Sequence, residues 1–470
     1  MGKRFLASAG ALSGARLLTA LSQLLVLPII ARYLTAEEFG LVALAMTLVL
    51  FAQLFSDAGL SRSLIRQEQY HPEEWSAVFW LLFGIGLGLA LIALAIAPVW
   101  AWVFEAPELF GMVAALSVTP MFLSLAAVPN ARLERENRFG TLALIRAGAA
   151  LAGMMAAAAL ALAGAGVWAM VVQQILLTVI QCGAGLAFSG FRPMLPRWQS
   201  QLSNHLIFAR DSLGASLLQT TQRQVPMMLI GHHLGPASLG LFSMTSRLLN
   251  QPSMALSGPM AQVVYVRMAA AQGDDGQLGA LYVGSIRLLA LAIFPPMAVL
   301  AGAGGDLFAL LLSEPWRKVG FLFALAAPGF ALEAAVATAG VMFQAVGRTG
   351  LRLRMIVERT VLRLVTLALA VPFGIEAVAL AITLFVFAYT PRYWAFAHRA
   401  VPFDRRAALS ALGMTTGISV VTWGAMYLLA RQGGDWATLG WAVVILAASW
   451  AAAAAIQWSR LRASLATFGR

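Results

Sequence analysis

The sequence has few charged residues and a single cysteine. Only 11% of its 470 residues are charged, against about a quarter in soluble domains, and 60% are hydrophobic. This composition excludes a soluble globular protein, and the recurring apolar runs of about 18 or more residues indicate membrane-spanning helices. The lone cysteine, Cys182, excludes an internal disulfide and a cysteine metal cluster.

The residues that several kinds of enzyme require are also missing. The only lysines are Lys3 and Lys318 and no GxxxxGK loop occurs, so the chain does not hydrolyse ATP by a P-loop mechanism. The five histidines never form a ligand-spaced set, and no metal or other cofactor is expected. A membrane glycosyltransferase or polymerase would need acidic residues in a large outward loop. Glu37 and Glu38 lie in a short turn, where they indicate the start of a helix after Thr35. Because the required loop is missing, we predict no enzymatic activity.

Apolar periodicity predicts an all-α integral membrane protein with about fourteen transmembrane helices. Their predicted ranges are about 11–34, 39–65, 76–103, 108–130, 139–163, 166–188, 206–233, 238–265, 280–303, 316–345, 352–373, 375–394, 406–429 and 436–458. Most of the 32 Lys and Arg residues then fall in cytoplasmic segments, which places both termini in the cytoplasm. The net charge of +12 therefore reflects membrane topology, and no nucleic-acid partner is predicted.

Two neighbouring predicted helices carry polar residues along one side. At helical spacing, these stripes consist of Ser212, Ser216, Gln219, Thr220 and Arg223, and of Ser243, Ser246, Arg247, Asn250 and Ser257. An arginine at the bilayer centre costs roughly 2.5 to 3.5 kcal/mol, so Arg223 and Arg247 should face a wet or protein-lined interior. Two facing stripes predict a polar groove that receives an anionic ligand.

An internal repeat relates the two halves of the chain at an offset of 200 residues. Segment 30–41 aligns with 230–241, with matches at Ile30 and Ile230, Leu34 and Leu234, Gly40 and Gly240, and Leu41 and Leu241. The two copies start six predicted helices apart, which predicts an axis along the membrane normal. The repeat places Gln23 opposite Arg223, in a first-half stripe that also holds Arg16 and Thr19.

Arginines well inside the predicted spans form a candidate cationic cavity. They are Arg16, Arg146, Arg223, Arg247, Arg287 and Arg363, and the candidate substrate-binding set adds Gln23, Gln219 and Asn250. Guanidinium groups suit a diphosphate or a uronic acid because each presents two donors to two oxygens. The alternative is that some of these arginines pair with buried acids or extend to the inner interface.

The candidate buried acids are Asp57, Glu333 and Glu358. Each either binds a proton or sodium ion during transport or neutralises an arginine, and the sequence leaves both roles open. Arg359 and Arg363 share a helix face beside Glu358, which favours a salt-bridged bundle there.

Four segments carry a family resemblance: 28–67, 130–139, 229–253 and 340–350. Together they resemble Wzx-type polysaccharide flippases, the polysaccharide-transporter branch of the multidrug/oligosaccharidyl-lipid/polysaccharide exporter superfamily. The resemblance implies two pseudo-symmetric six-helix lobes around a cavity and two further C-terminal helices. It also implies alternating access that moves an undecaprenyl-diphosphate-linked oligosaccharide between leaflets. Relatives often carry an acid before the second-half turn, whereas this chain has Arg223 and Gln224, so no ion-coupling acid is expected there.

The resemblance also implies a domain plan and partners. The predicted domains are 1–190, the N-terminal six-helix lobe; 191–205, a cytoplasmic linker; 206–400, the C-terminal six-helix lobe; and 401–470, two additional helices and a cytoplasmic tail. The implied location is the bacterial inner membrane. The implied partners are a lipid-linked anionic oligosaccharide, membrane lipids, and polysaccharide polymerase and export proteins.

Three alternatives to a polysaccharide flippase remain open. A peptidoglycan lipid-precursor flippase of the same superfamily also has a cationic cavity, so charge does not separate the two. A drug/cation antiporter should have a net acidic cavity, whereas the predicted interior contains more arginines than carboxylates. A scaffold without a transport role is the third.

Overall fold

The computed structural model describes residues 27–57, 59–65, 70–195, 202–431, 435–458 and 460–462. Within these ranges the chain is helical and contains no β-strand, which confirms the predicted all-α membrane class. Two compact units divide the chain at Gly240 and Leu241.

The first unit begins in a helical segment, 27–33, and continues through seven complete helices. These are α1 (Ala36–Asp57), α2 (Leu60–Ile65), α3 (Pro72–Val103), α4 (Glu108–Leu116), α5 (Thr119–Arg135), α6 (Phe139–Leu162) and α7 (Trp168–Ser189). α3 packs against α5, and α6 against α7. Trp75, Leu82 and Val128 are fully buried between α3 and α5.

A capping box starts α1, as the sequence predicts. The Thr35 backbone N–H donates to Glu38 Oε2 at 2.8 Å, and the Glu38 backbone N–H donates to Thr35 Oγ1 at 3.2 Å. Two of the backbone donors that a helix start leaves unsatisfied are therefore paired.

Several predicted continuous helices are broken in the structure. The predicted helix 39–65 is wrong in this respect, because Gly59, with φ 85°, separates α1 from α2. The predicted helix 108–130 is likewise divided between α4 and α5. Apolar periodicity over a long window does not reveal such breaks, because helical spacing resumes on the far side of each one.

The polar stripes both lie on α8 (Leu202–Ala270), which runs from the first unit into the second. Gly235 interrupts it with φ 78° and ψ 171°, outside the helical range, so α8 consists of two arms, 202–234 and 236–270. The predicted helices 206–233 and 238–265 correspond to these arms. A glycine at the break is expected because only glycine adopts positive φ without steric cost.

Within the first unit, the two copies of the repeat meet at their matched glycines. A Cβ atom on Gly40 would lie 1.8 Å from the carbonyl oxygen of Pro236, and one on Gly240 would lie 1.7 Å from that of Ala36. The two contacts are reciprocal at the offset of 200 residues that the sequence predicts. Backbone therefore packs directly on backbone, an approach that only glycine allows.

The second unit is built around α9 (Asp275–Leu311), which packs against α10, α14 and α15. The remaining helices are α10 (Arg317–Val336), α11 (Ala339–Ala345), α12 (Thr349–Ala370), α13 (Ile375–Ala400), α14 (Arg405–Ala430) and α15 (Asp435–Ile456). The predicted helix 316–345 is divided between α10 and α11. Trp316 and Phe323 are fully buried in this unit.

Ten helices in the described part of the chain are long and apolar enough to cross a membrane. The multi-pass membrane class is therefore confirmed. The two arms of α8 and the arginine-rich α12 are helical too, but their polar residues lower their hydropathy. The count of about fourteen stays a prediction, because most of the first predicted helix, 11–34, lies outside the described residues.

Candidate functional site

Arg223 lies on the first arm of α8 with its side chain exposed. Gln219, one turn earlier on the same face, is exposed as well. Within the described ranges, the Arg223 guanidinium has neither an ion pair nor a hydrogen bond. At 1.5 Å per residue, Arg223 lies about 18 Å along its arm from Gly235, more than half the depth of a hydrocarbon core of about 30 Å.

Arg247 lies on the second arm of α8, also 12 residues from Gly235 and hence about 18 Å along that arm. Its side chain is half-buried, and no described residue pairs with its guanidinium. Asn250 on this arm is exposed, and its Nδ2 donates to the Ser246 carbonyl oxygen at 2.7 Å. The Asn250 side-chain oxygen remains available as an acceptor in the polar stripe that also contains Arg247.

A cluster of three charged residues joins α10 to α12. Glu333 on α10 accepts a short ion-paired hydrogen bond from Arg359, and Arg363 Nη1 lies 3.4 Å from the second Glu333 oxygen. Each of the three side chains keeps between 22% and 28% of its surface exposed. Among the candidate substrate-binding residues that the structure describes, Arg363 is thus the one in a compact charged cluster.

Glu358 pairs with a different helix. It receives two hydrogen bonds from Arg392 on α13, at 2.9 Å from Nε and 3.1 Å from Nη2. Asp57 also has local partners, because it accepts from the Ser61 backbone N–H at 2.9 Å and from its hydroxyl at 2.7 Å. All three candidate acids therefore have partners, and two of them neutralise arginines.

The other candidate arginines lie apart from this cluster. Arg146 makes an exposed ion pair with Glu134 at 3.5 Å. Arg287 is buried, and its Nη1 donates to the backbone carbonyl of Arg460 at 2.9 Å, which ties α9 to the C-terminal segment. Arg16 and Gln23 lie outside the described residues.

The second unit also contains an apolar cavity of about 1470 Å³ between α9, α10, α13 and α14. Small side chains line much of it, including Gly413 and Gly417 on α14, where an added Cβ would meet nothing within 4 Å. On α14 the lining residues run from Arg405 to Tyr427. These two residues are about 33 Å apart along the helix, which matches the hydrocarbon thickness of a bilayer.

The sequence interpretation missed three features of this region. Arg359 was expected in a salt-bridged bundle but was not included among the substrate-binding residues, although its i, i+4 spacing to Arg363 gives both the same face. The Arg392 partner of Glu358 is 34 residues distant and carries no local signal. The apolar cavity was not predicted at all.

A known family matches more than half of this chain. The family described as "Polysaccharide biosynthesis protein" matches residues 29–320. This range includes both arms of α8, the matched glycines and all of α1 to α9.

Two curated relatives match a similar share of the chain. One is the succinoglycan biosynthesis transport protein ExoT of Rhizobium meliloti (strain 1021), 25% identical over 292 residues, or 62% of this chain and 58% of the relative. The other is the lipopolysaccharide biosynthesis protein WzxC of Escherichia coli (strain K12), 19% identical over 297 residues, or 62% of this chain and 60% of the relative. The matched region therefore spans about three fifths of each relative.

Solved structures show the same fold. The lipid II flippase MurJ in an inward closed conformation superposes with a TM-score of 0.79 at 13% identity, covering 96% of this chain and 99% of MurJ. An inward-facing multidrug resistance MATE transporter superposes with a TM-score of 0.58 at 14% identity, covering 87% of this chain and 98% of the transporter. At such low sequence identities, the two superpositions establish the fold alone. Together with the match over residues 29–320, they confirm the resemblance noted in the sequence, and the chain belongs to the polysaccharide biosynthesis protein family.

Proposed function

We propose that this protein translocates an undecaprenyl-diphosphate-linked oligosaccharide across the inner membrane by alternating access, for exopolysaccharide or lipopolysaccharide synthesis. The observation that carries the proposal is the state of Arg223 and Arg247. Both guanidinium groups lie deep along their arms, and neither has an acidic partner among the described residues. An unpaired charge at membrane depth is unfavourable, so these groups are best explained as contacts for an anionic headgroup.

Energetics favour export of such a headgroup without a coupled ion. Each negative charge that leaves a cell with a negative interior gains roughly 2.3 kcal/mol per 100 mV. The remaining barrier is the passage of sugars through hydrocarbon, which the polar stripes on the arms of α8 lower. The protein therefore acts by providing a path, and its arginines hold the diphosphate or acidic sugars on the way.

The proposed function also includes the orientation of the chain in the membrane and the proteins that use its product. Both termini lie in the cytoplasm, and the domain plan is the one that the repeat and the resemblance imply. A polysaccharide polymerase and export proteins consume the product on the far side. The family match supports a polysaccharide substrate over a peptidoglycan precursor, although the fold of MurJ is shared.

The apolar cavity suits the hydrocarbon part of the substrate. Filling it through Gly413→Leu or Gly417→Leu is expected to slow transport about tenfold, because about 1.4 kcal/mol of lost tail contact corresponds to that factor. Folding should be preserved, since an added Cβ at either glycine meets nothing within 4 Å. Transport by each variant is measured at matched protein level.

Gly424→Leu is the matched control for the cavity. Gly424 lies on the same helix, has the same open surroundings and is not among the residues that line the cavity. Equal transport by the Gly417 and Gly424 variants would mean that the cavity does not take part.

The proposed function is tested in cells that lack the chain. We expect lipid-linked oligosaccharide to accumulate on the cytoplasmic leaflet, and re-expression of the chain to restore surface polysaccharide. Accumulation of peptidoglycan precursor instead would assign the alternative flippase activity. Normal surface polysaccharide in the deleted strain would contradict the proposal.

A further inference from the structure

We propose that Glu333 is an internal counter-ion that an anionic group of the substrate displaces from Arg359 and Arg363. The inference rests on the proposed function and concerns the regulation of its binding site. It assigns the α10–α12 cluster, defined by these three residues, as an exchange site for oxyanions. The ligand class is a phosphate or a sugar carboxylate.

The first observation is charge. The α10–α12 cluster has two guanidinium groups and a single carboxylate, so one positive charge is left over when Glu333 is bound to both arginines. By contrast, the neighbouring Glu358 accepts two well-formed hydrogen bonds from a single arginine, Arg392. Surplus positive charge in a partly buried cluster calls for a further anion.

The second observation is that Glu333 satisfies its two arginines unequally. Arg359 makes a short hydrogen bond to it, whereas Arg363 Nη1 lies 3.5 Å and 3.4 Å from the two carboxylate oxygens. Charge-assisted hydrogen bonds of this type are ordinarily about 2.7 to 2.9 Å long. Arg363 Nε is buried without a hydrogen-bond partner among the described residues. Arg363 therefore has donors that Glu333 does not use.

The third observation is access. Arg359 and Arg363 lie about 15 Å and 21 Å from the start of α12, in the central part of this 22-residue helix. The exposed Val357, Val361 and Val365 occupy the opposite side of α12 at about 100° per residue. The arginines thus point away from the side suited to lipid, yet each keeps more than a fifth of its surface exposed.

These observations lead to an exchange mechanism. In the empty site, Glu333 holds the arginines and limits the energetic cost of their charge. An arriving oxyanion takes up the unused donors of Arg363 and then competes with Glu333 for Arg359. When the anion leaves, Glu333 recaptures both groups, so the competing carboxylate keeps binding weak enough for release.

The test measures anion affinity of the purified full-length protein by isothermal titration calorimetry. Inorganic pyrophosphate and glucuronate are titrated separately, since they represent the two sources of oxyanion. With at least one of them, Glu333→Gln should bind about tenfold more tightly than the unaltered protein, and Arg363→Ala about tenfold more weakly. The anion that responds identifies the part of the substrate that the cluster holds.

Glu376→Gln is the matched control. Glu376 pairs with Lys318 at 2.6 Å in the same unit, and its removal should leave both affinities unchanged. If the cluster is only a structural ion pair, Glu333→Gln should lower the stability of the protein without raising its affinity for either anion. Unchanged or weaker binding of both anions by Glu333→Gln would overturn the inference, and so would unchanged binding by Arg363→Ala.

Transport separates this inference from the proposed function. If lipid-linked glycan is transported, Glu333→Gln should transport more slowly despite its tighter binding, because release is delayed. If the unaltered protein transports no lipid-linked glycan, the proposed function fails. The calorimetric comparison still decides whether the cluster exchanges anions.

Discussion

Replacing Arg223 and Arg247 together by alanine is expected to lower transport of the lipid-linked glycan by about 100-fold or more. A hydrogen bond to a charged group contributes about 1.5 to 3 kcal/mol, and each 1.4 kcal/mol corresponds to a factor of ten. Neither arginine has a protein partner among the described residues, so the loss should fall on the substrate and not on folding. The measurement is the rate at which lipid-linked glycan reaches the outer leaflet, at equal protein level.

Two further variants refine this result. Arg223→Lys with Arg247→Lys should transport at an intermediate rate, because an ammonium keeps the charge but loses the two-donor geometry. Arg138→Ala, which removes an exposed arginine paired with Glu136 at 3.5 Å, should transport normally. Unchanged transport by the double alanine variant would show that these arginines do not hold substrate.

Gly40→Ala and Gly240→Ala are each expected to destabilise the protein by about 1 to 3 kcal/mol or more, the usual range for overpacking a tight contact. A Cβ at either position would overlap a backbone carbonyl oxygen, and backbone cannot rotate aside as a side chain can. Because the contacts are reciprocal, the two variants should have similar effects. Thermal unfolding in detergent, followed by tryptophan fluorescence, measures both.

Gly84→Ala serves as the control for the glycine contact. Gly84 is exposed inside α3, and an added Cβ meets nothing within 4 Å. Alanine there should be neutral or slightly stabilising, since glycine is unfavourable in a helix interior. An unfolding midpoint for Gly40→Ala equal to that of Gly84→Ala would contradict the proposed backbone contact.

Local sequence patterns predicted much of the fold. Apolar periodicity is a property of single segments, so it located the helices, and the T-x-x-E pattern located the start of α1 at Thr35 and Glu38. The repeat predicted that Gly40 and Gly240 are equivalent, and the structure shows their reciprocal contacts. The break at Gly59 was missed because glycine is also frequent inside continuous membrane helices.

The candidate site was only partly predictable, because its contacts join distant segments. Spacing showed that Arg359 and Arg363 share a helix face, but not that Glu333, 26 residues before Arg359, lies against them. Arg287 has the sequence appearance of a cavity arginine, yet it donates to a backbone carbonyl 173 residues away. Residue spacing of this kind shows which side chains share a helix face, but it does not show which distant residues contact that face.

The apolar cavity illustrates the same limit. Gly413 and Gly417 have the small-xxx-small spacing that usually marks helix packing in membranes. In the structure both glycines instead face open space along the cavity. Whether a small residue packs against a helix or lines a void depends on the neighbouring helices, which a single segment does not specify.

The central claim is tested most directly by reconstituting the purified protein into liposomes that contain a lipid-linked anionic oligosaccharide in both leaflets. An impermeant glycan-modifying reagent is added outside, and the modified fraction is followed over time. With the protein, the fraction should rise from about half toward completion, since flipping resupplies the outer leaflet. A fraction that stays at the protein-free level would contradict the claim that this chain moves lipid-linked glycans.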